Sequence, residues 1–263
     1  MLGLRTLSAL VMAPPALLAV WWGGFAFAAL VSVAAFIMCW EWHRMIVKDF
    51  GWSGRVAAIG CAGASLLAMV MPMQASLLVV AAAVASTALA PSHSERLREW
   101  AGIGALYAGL PAVALVWLRG DADLGRETIF WLFLVVWATD TGAYGFGRLI
   151  GGPKLMPAVS PKKTWAGLVG GMLCSALVGF GVAAMVDLPH GLWVALGSAG
   201  LAVVAQAGDL TESWVKRKFG VKDSSNIIPG HGGVLDRVDG LLAVAAAVAL
   251  ATWSSGVMVL MWR

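Results

Sequence analysis

Two aspartates at the start of the last apolar stretch have the spacing best suited to chemistry. Asp236 and Asp239 are three positions apart, so a helix would carry both carboxylates on one face. Two negative charges this close to each other and to hydrocarbon need a compensating cation, and Arg237 points in a different direction. Mg²⁺ prefers oxygen ligands and commonly bridges carboxylates to substrate phosphates. The spacing therefore predicts a Mg²⁺ site here, and the nearby Asp223 could be a third ligand or form a surface ion pair with Lys222.

A glycine-rich segment comes immediately before this helix. Gly232 and Gly233 permit positive φ and close approach of the backbone to a ligand, and N–H groups at a helix N-terminus favour phosphate. The glycines alone would fit a flexible loop, whereas together with the acids that follow they predict phosphate binding by both glycines. His231 could act as a general base, as a hydrogen-bond donor to phosphate or as an ordinary loop histidine, and we favour the hydrogen bond.

Polar residues upstream of the glycines follow a helical period. Four of them recur at i, i+3, i+4 and i+7: Asp209, Glu212, Ser213 and Lys216. If this stripe faces the inside of a bundle, it predicts a substrate pocket, whereas an ion pair from Glu212 to Lys216 is the structural alternative. Arg217 and Lys222 add positive charge that could neutralise phosphates or contact anionic lipid headgroups.

A second polar region precedes this one. Asp140 is the one formally charged residue within the apolar stretches, which usually indicates function, and Tyr144 lies one helical turn further on. Gly142, Gly145 and Gly147 are expected to allow close helix packing. Lys162 and Lys163 lie in a segment bounded by prolines, where they could clamp a triphosphate or simply determine topology. The sequence leaves these two alternatives open.

Composition determines what kind of scaffold can position these residues. The chain has 263 residues, of which 60% are hydrophobic and 12% are charged, whereas soluble domains carry about 25% charged residues. We therefore expect an all-α, polytopic transmembrane bundle that forms a single domain over residues 1–263. The net charge of +4 is modest and the basic residues are scattered, which argues against nucleic-acid binding. The three cysteines lack metal-site spacing and predict neither a disulfide nor a zinc site.

Seven apolar stretches outline the membrane spans. They cover residues 7–40, 56–90, 101–118, 128–147, 166–186, 188–206 and 240–262. A span needs about 20 residues, so the first two stretches are too long for one span each. Each has a break in the middle, at residues 21–24 and 71–73. Splitting both predicts about nine spans, with N-terminal spans over 1–100 and catalytic spans and loops over 101–263.

The basic residues orient this arrangement. With nine spans, only Arg119, Arg126 and Arg263 fall on the side opposite the other basic residues. The positive-inside rule then predicts a cytoplasmic N-terminus and a cytoplasmic face for the polar loops. Splitting 56–90 improves this asymmetry, whereas charge does not decide whether 7–40 is one span or two.

The segment from Ser213 to Asp239 resembles the signature of the phosphatidate cytidylyltransferase family. The positions that carry the resemblance are Ser213, Lys216, Arg217, Lys222, Asp223, His231, Gly232, Gly233, Asp236, Arg237 and Asp239. The segments Asp140–Tyr144 and Ser160–Thr164 are also similar to the family, and residues 1–100 agree only in their span pattern. The family usually has an acid where this chain has Ala166, which leaves a catalytically weakened homologue as an alternative.

This resemblance implies an enzyme of phospholipid biosynthesis that joins CTP to phosphatidic acid, releasing pyrophosphate and forming CDP-diacylglycerol. It also implies a Mg²⁺-dependent homodimer in a bacterial-type inner membrane, with its active site on the cytoplasmic face. We expect Lys216, Arg217, Lys222, His231 and Arg237 to be catalytic. Substrate binding is expected at Asp140, Tyr144, Lys162, Lys163, Asp209, Ser213, Gly232 and Gly233, and metal binding at Asp223, Asp236 and Asp239.

Two other functions fit parts of the sequence less well. A proton-coupled transporter could use Asp140, yet the ionisable residues concentrate in loops at one face, whereas transporters place them near the midplane. A CDP-alcohol phosphotransferase would need an Arg and further acids after Asp239, which this chain lacks.

Overall fold

The computed structural model describes residues 2–91, 95–228, 230 and 232–261, and for residues 2–10 and 95 it describes the backbone alone. The helices found in these ranges are α1 (Leu2–Trp22), α2 (Gly24–Ile46), α3 (Gly51–Leu67), α4 (Pro72–Leu89), α5 (Glu95–Arg119), α6 (Gly125–Leu149), α7 (Trp165–Met185), α8 (Gly191–Lys218) and α9 (Leu235–Ser255). A short 3₁₀ helix follows at Val259–Met261. Two strands, β1 (Lys154–Met156) and β2 (Ser160–Thr164), form an antiparallel hairpin between α6 and α7.

The helix breaks lie where the sequence predicts them. Gly23 separates α1 from α2 and has φ 65°, a conformation that favours glycine. Pro72 is the first residue of α4, a position where its missing N–H costs nothing. Local residue chemistry therefore divides both long apolar stretches.

Seven of the helices are long and apolar enough to cross a membrane: α2, α4, α5, α6, α7, α8 and α9. This confirms an all-α polytopic membrane protein. The apolar part of α1 over Val11–Trp22 and the 17 residues of α3 are shorter. The count of nine spans and the cytoplasmic N-terminus stay predictions.

The chain forms two compact units, and the first contains residues 1–122 and 218–238. Within it, α2, α3, α4 and α5 pack against one another. Trp42 is buried on α2, where its indole Nε1 donates to the Trp100 carbonyl at 2.8 Å. His43, also buried, lies 3.1 Å through Nε2 from the Ser86 hydroxyl and 3.3 Å from that of Ser53. This network ties α2 to α3 and α4, because each buried polar group finds a partner in a neighbouring helix.

The second unit contains residues 123–217 and 239–263. Its α6 and α7 pack closely through small residues, since a Cβ added to Gly142 would lie 2.8 Å from the Gly170 carbonyl oxygen. Gly147 is similarly tight against Thr164, which confirms the packing role expected for these two glycines. The expectation for Gly145 is wrong, because no described atom lies within 4 Å of a Cβ built there.

The ends of several elements differ from the predicted stretches. Helix α8 extends to Lys218, so residues 209–218 continue a membrane helix and are not loop. Lys162 and Lys163 lie in β2, although the sequence indicated a loop. Backbone pairing of Lys154 with Thr164 orders this proline-containing segment. The three cysteines are free thiols, and Cys39 and Cys61 are buried.

Candidate active site

Asp236 holds together the segment that connects α8 to α9, which we call the acidic loop. Its Oδ2 atom accepts hydrogen bonds from the backbone N–H of Ser224 at 2.9 Å, the Ser224 hydroxyl at 2.9 Å and the N–H of Gly233 at 2.7 Å. Ser224 and Gly233 are both buried. One oxygen of a predicted metal ligand therefore fixes the shape of the loop, and the role of Asp236 includes structure whatever else it binds.

Gly232 lies between the two acids of this loop. It has φ 80°, and a Cβ added to it would lie 2.5 Å from Asp236 Oδ2 and 3.5 Å from the Cβ of Asp223. A side chain at this position would therefore occupy the space that both aspartates border. The glycine is required here for its conformation and for the room it leaves.

Glu41 is a further acid that binds this loop from outside it, and the sequence analysis missed it. It belongs to α2 and is fully buried, and its Oε1 accepts from the Ser225 hydroxyl at 2.7 Å and the Val234 N–H at 2.8 Å. Its Oε2 accepts from the Leu235 N–H at 2.8 Å. The available signal was a carboxylate directly after the apolar stretch 7–40, where hydropathy alone predicts a surface loop.

These contacts correct the reason for expecting phosphate at the N-terminus of α9. The N–H of Gly233 donates to Asp236, and those of Val234 and Leu235 donate to Glu41. The first backbone donors of this helix are thus satisfied by carboxylates of the chain. Phosphate contacts by Gly232 and Gly233 stay predictions, without the support of a vacant helix terminus.

In the second unit, Asp209 connects the hairpin to α8. Its carboxylate forms an ion pair of 2.5 Å with Lys163 and accepts a hydrogen bond of 3.2 Å from the Ser213 hydroxyl. Three predicted substrate-binding residues are therefore brought together. Asp209 and Ser213 are one turn apart on α8, as their spacing indicates, and Lys163 reaches them from β2.

Lys216 is paired within the same helix. Its Nζ lies 2.6 Å from Glu212 Oε2, and the side chains are 10% and 0% exposed. The ion pair suggested by the i, i+4 spacing is thereby confirmed. Burial makes this pair far more consequential than a surface salt bridge, because removing one charge leaves the other in a poorly solvated place.

Asp239 in the second unit lies within the electrostatic influence of two other aspartates. Asp239 is partly buried on α9, and the charges of Asp209, Asp140 and Lys216 all act on it. Helix α9 approaches α8 closely at this level, since a Cβ on Gly208 would lie 2.8 Å from the Asp239 carbonyl oxygen. The unit therefore concentrates negative charge, which Lys216 partly compensates.

The other predicted site residues lie at the surface. Asp140 and Tyr144 are exposed on α6, where the Tyr144 hydroxyl accepts a hydrogen bond of 2.8 Å from Arg148. The exposed cations among them are Lys162, Arg217, Lys222 and Arg237. His231 lies outside the described residues, so its role stays a prediction.

Two of the predicted metal ligands, Asp223 and Asp236, are compatible with Mg²⁺ by the chemistry of their side chains. No group of three or more His, Cys, Asp or Glu side chains is arranged to hold a metal ion within the ranges that the structure covers. Asp223 and Asp236 border one space at Gly232, and this donor set of hard oxygens suits Mg²⁺, which binds one or two carboxylates together with phosphates and water. Asp239 belongs to the other compact unit, so its place in the metal site stays a prediction.

Comparison with known proteins covers nearly the whole chain. The model of the Cytidylyltransferase family matches residues 3–255. The phosphatidate cytidylyltransferases of Brucella suis biovar 1 and Brucella abortus biovar 1 are each 41% identical to this chain over 254 residues, covering 94% of it and 91% of each relative. The enzyme of that name from Staphylococcus aureus is 49% identical over 121 residues, or 46% of each chain. The protein therefore belongs to the cytidylyltransferase family.

Proposed function

We propose that this protein is a phosphatidate cytidylyltransferase, which converts CTP and phosphatidic acid to CDP-diacylglycerol and pyrophosphate. The observation that carries the proposal is the 41% identity to enzymes of that name over 94% of the chain. The acidic loop around Gly232 supports it, because a nucleotidyl transfer needs a place where cations and phosphates meet. We place this activity at the cytoplasmic face of a bacterial inner membrane, in a homodimer.

The reaction is a displacement at phosphorus. A phosphate oxygen of phosphatidic acid forms a bond to the α-phosphorus of CTP, and the bond from that phosphorus to the bridging oxygen of the β-phosphate breaks. The electron pair leaves with pyrophosphate. Such reactions depend chiefly on positioning and on neutralising charge rather than on covalent chemistry by the protein.

Different residues would bind the metal ions and neutralise the phosphates. Asp223 and Asp236, with Asp239 as a further candidate, would hold one or two Mg²⁺ ions, which supply positive charge for the phosphate oxygens when bound. Lys162, Lys222, Arg217 and Arg237 are exposed cations that can approach a phosphate. Lys163 and Lys216 already neutralise Asp209 and Glu212, so a phosphate would have to compete with a carboxylate for either of them.

Turnover by the purified protein tests the proposal. The protein in detergent or nanodiscs should convert labelled CTP and phosphatidic acid to CDP-diacylglycerol and pyrophosphate in equal amounts. EDTA should abolish the reaction and excess Mg²⁺ should restore it. No product under conditions in which a Brucella relative is active would refute the proposal, and product formation unaffected by EDTA would refute the metal assignment.

A further inference from the structure

We propose that Glu41 is a positioning residue for the acidic loop, acting through the backbone and not by contact with substrate. This proposal deepens the proposed function and rests on it for the kinetic effects, whereas the structural effects stand independently. Glu41 lies outside the segments whose residues match the family signature. Its three hydrogen-bond donors all lie at residues 225–235, immediately beside the loop acids.

The geometry of the carboxylate matches its donors closely. The two backbone N–H groups of Val234 and Leu235 are consecutive, and each donates to a different oxygen of Glu41 at 2.8 Å. The Ser225 hydroxyl, from an earlier part of the loop, donates to Oε1 at 2.7 Å. One side chain thus joins the loop's beginning to its end, and the complete burial of Glu41 makes an unsatisfied carboxylate at this position costly.

The residue just before the first turn of α9 has no side chain that could satisfy these donors. A helix N-terminus is normally capped by a Ser, Thr, Asp or Asn side chain just before its first turn, and Val234 offers no acceptor there. Gly233 leaves the room that Glu41 needs, since a Cβ at Gly233 would come close to both Glu41 and the Ser224 hydroxyl. A carboxylate from α2 therefore performs the capping, and its charge also suits the positive end of the helix.

The consequence for the active site follows from the neighbouring bonds. Asp236 takes the Gly233 N–H and the two Ser224 donors, while Glu41 takes the donors directly beside them at Val234 and Ser225. The backbone that orients Asp236 is therefore fixed by Glu41. If Glu41 lost its charge, the loop could shift, and the separation of Asp223 from Asp236 around Gly232 would no longer be fixed.

Two substitutions distinguish this role from general stabilisation. In Glu41→Gln, an amide NH₂ replaces one acceptor and faces a backbone N–H, so two donors oppose each other. In Glu41→Asp, both acceptors and the charge remain on a side chain that is one methylene shorter. The matched control is Glu99→Gln, which removes a charge from an exposed residue of α5 in the same unit.

Hydrogen exchange measured by mass spectrometry on the full-length protein in nanodiscs gives a readout that needs no activity. We expect Glu41→Gln to raise exchange about tenfold or more over residues 224–235, with Glu41→Asp intermediate and Glu99→Gln unchanged. The helices α3 and α4 should keep their protection in every variant. If Glu41→Gln does not fold, Ser225→Ala removes one of the three bonds, and we expect it to raise exchange in the same peptides.

Kinetics provide the second readout. Glu41→Gln should lower kcat/KM by about tenfold to a hundredfold and should raise the Mg²⁺ concentration needed for half-maximal rate, with partial recovery in Glu41→Asp. Unchanged loop exchange, or a loss of turnover with unchanged Mg²⁺ dependence, would overturn the positioning role. A wild-type protein without cytidylyltransferase activity would instead refute the proposed function and leave the exchange result to decide the role of Glu41.

Discussion

The buried pair of Lys216 and Glu212 allows structural and catalytic roles to be separated. The two side chains lie 2.6 Å apart and are 10% and 0% exposed. Lys216→Met would leave the Glu212 carboxylate buried without the lysine charge, which costs about 3–5 kcal/mol. At about 2–4 °C per kcal/mol for a chain of this size, the melting temperature should fall by about 6–20 °C.

The double variant Lys216→Met/Glu212→Met removes both charges at once. Replacing a whole buried ion pair by apolar residues is often neutral, so we expect its stability to return to within about 1 kcal/mol of the wild type. The charge of Lys216 also acts on Asp239, and we therefore expect turnover to remain at least about tenfold low despite the recovered stability. The assays are thermal unfolding in detergent and CTP turnover on the same preparations.

Two outcomes would contradict these predictions. A single variant as stable as the wild type would refute the energetic reasoning about the buried pair. A double variant with full turnover would show that Lys216 acts only as the partner of Glu212 and would remove it from the catalytic residues.

Three more predictions concern the loop and the topology. Asp236→Asn should abolish turnover and also weaken the loop by about 1–3 kcal/mol, because three hydrogen bonds lose their charged acceptor. Ser224→Ala keeps the carboxylate and should retain Mg²⁺-dependent turnover. Equal loss of turnover in both variants would contradict a metal role for Asp236. Gly232→Ala should lower turnover more than Gly220→Ala, because both glycines have positive φ but, of the two, only at Gly232 would a Cβ contact neighbouring atoms. Equal effects on turnover in steady-state assays would show that the space beside Gly232 is not needed. A reporter fused after Arg263 should give a non-cytoplasmic signal, and a cytoplasmic one would refute the odd number of spans.

Local signals in the sequence were sufficient to predict much of the fold. Gly23 and Pro72 break long apolar stretches at the expected places, because each changes the backbone where it stands. The polar face of α8 was equally predictable, since the i, i+4 spacing of Glu212 and Lys216 needs only a helix to become an ion pair. The family resemblance then supplied an activity that spacing alone leaves open.

Contacts between distant segments were not predictable from the same signals. The pair of Lys163 with Asp209 depends on a hairpin whose strands have only three and five residues. Prolines at 153, 157 and 161 make this segment resemble a loop in sequence. Glu41 follows an apolar stretch and could equally have faced water. Its hydrogen-bond partners depend on which distant segments pack against it, and hydropathy and charge counts carry no information about that packing.

The long-range cap on α9 also orders events during synthesis. Glu41 and Val234 are separated by 193 residues along the chain, which a ribosome needs roughly 10–40 s to add at about 5–20 residues per second. Throughout that interval Glu41 has been synthesised and Val234 has not. A carboxylate without partners is costly in hydrocarbon, so the end of α2 must stay near water until the last helix arrives. Completion of the acidic loop is therefore one of the last steps in the assembly of the chain, and a chain stopped before residue 234 would lack both backbone donors that Glu41 binds.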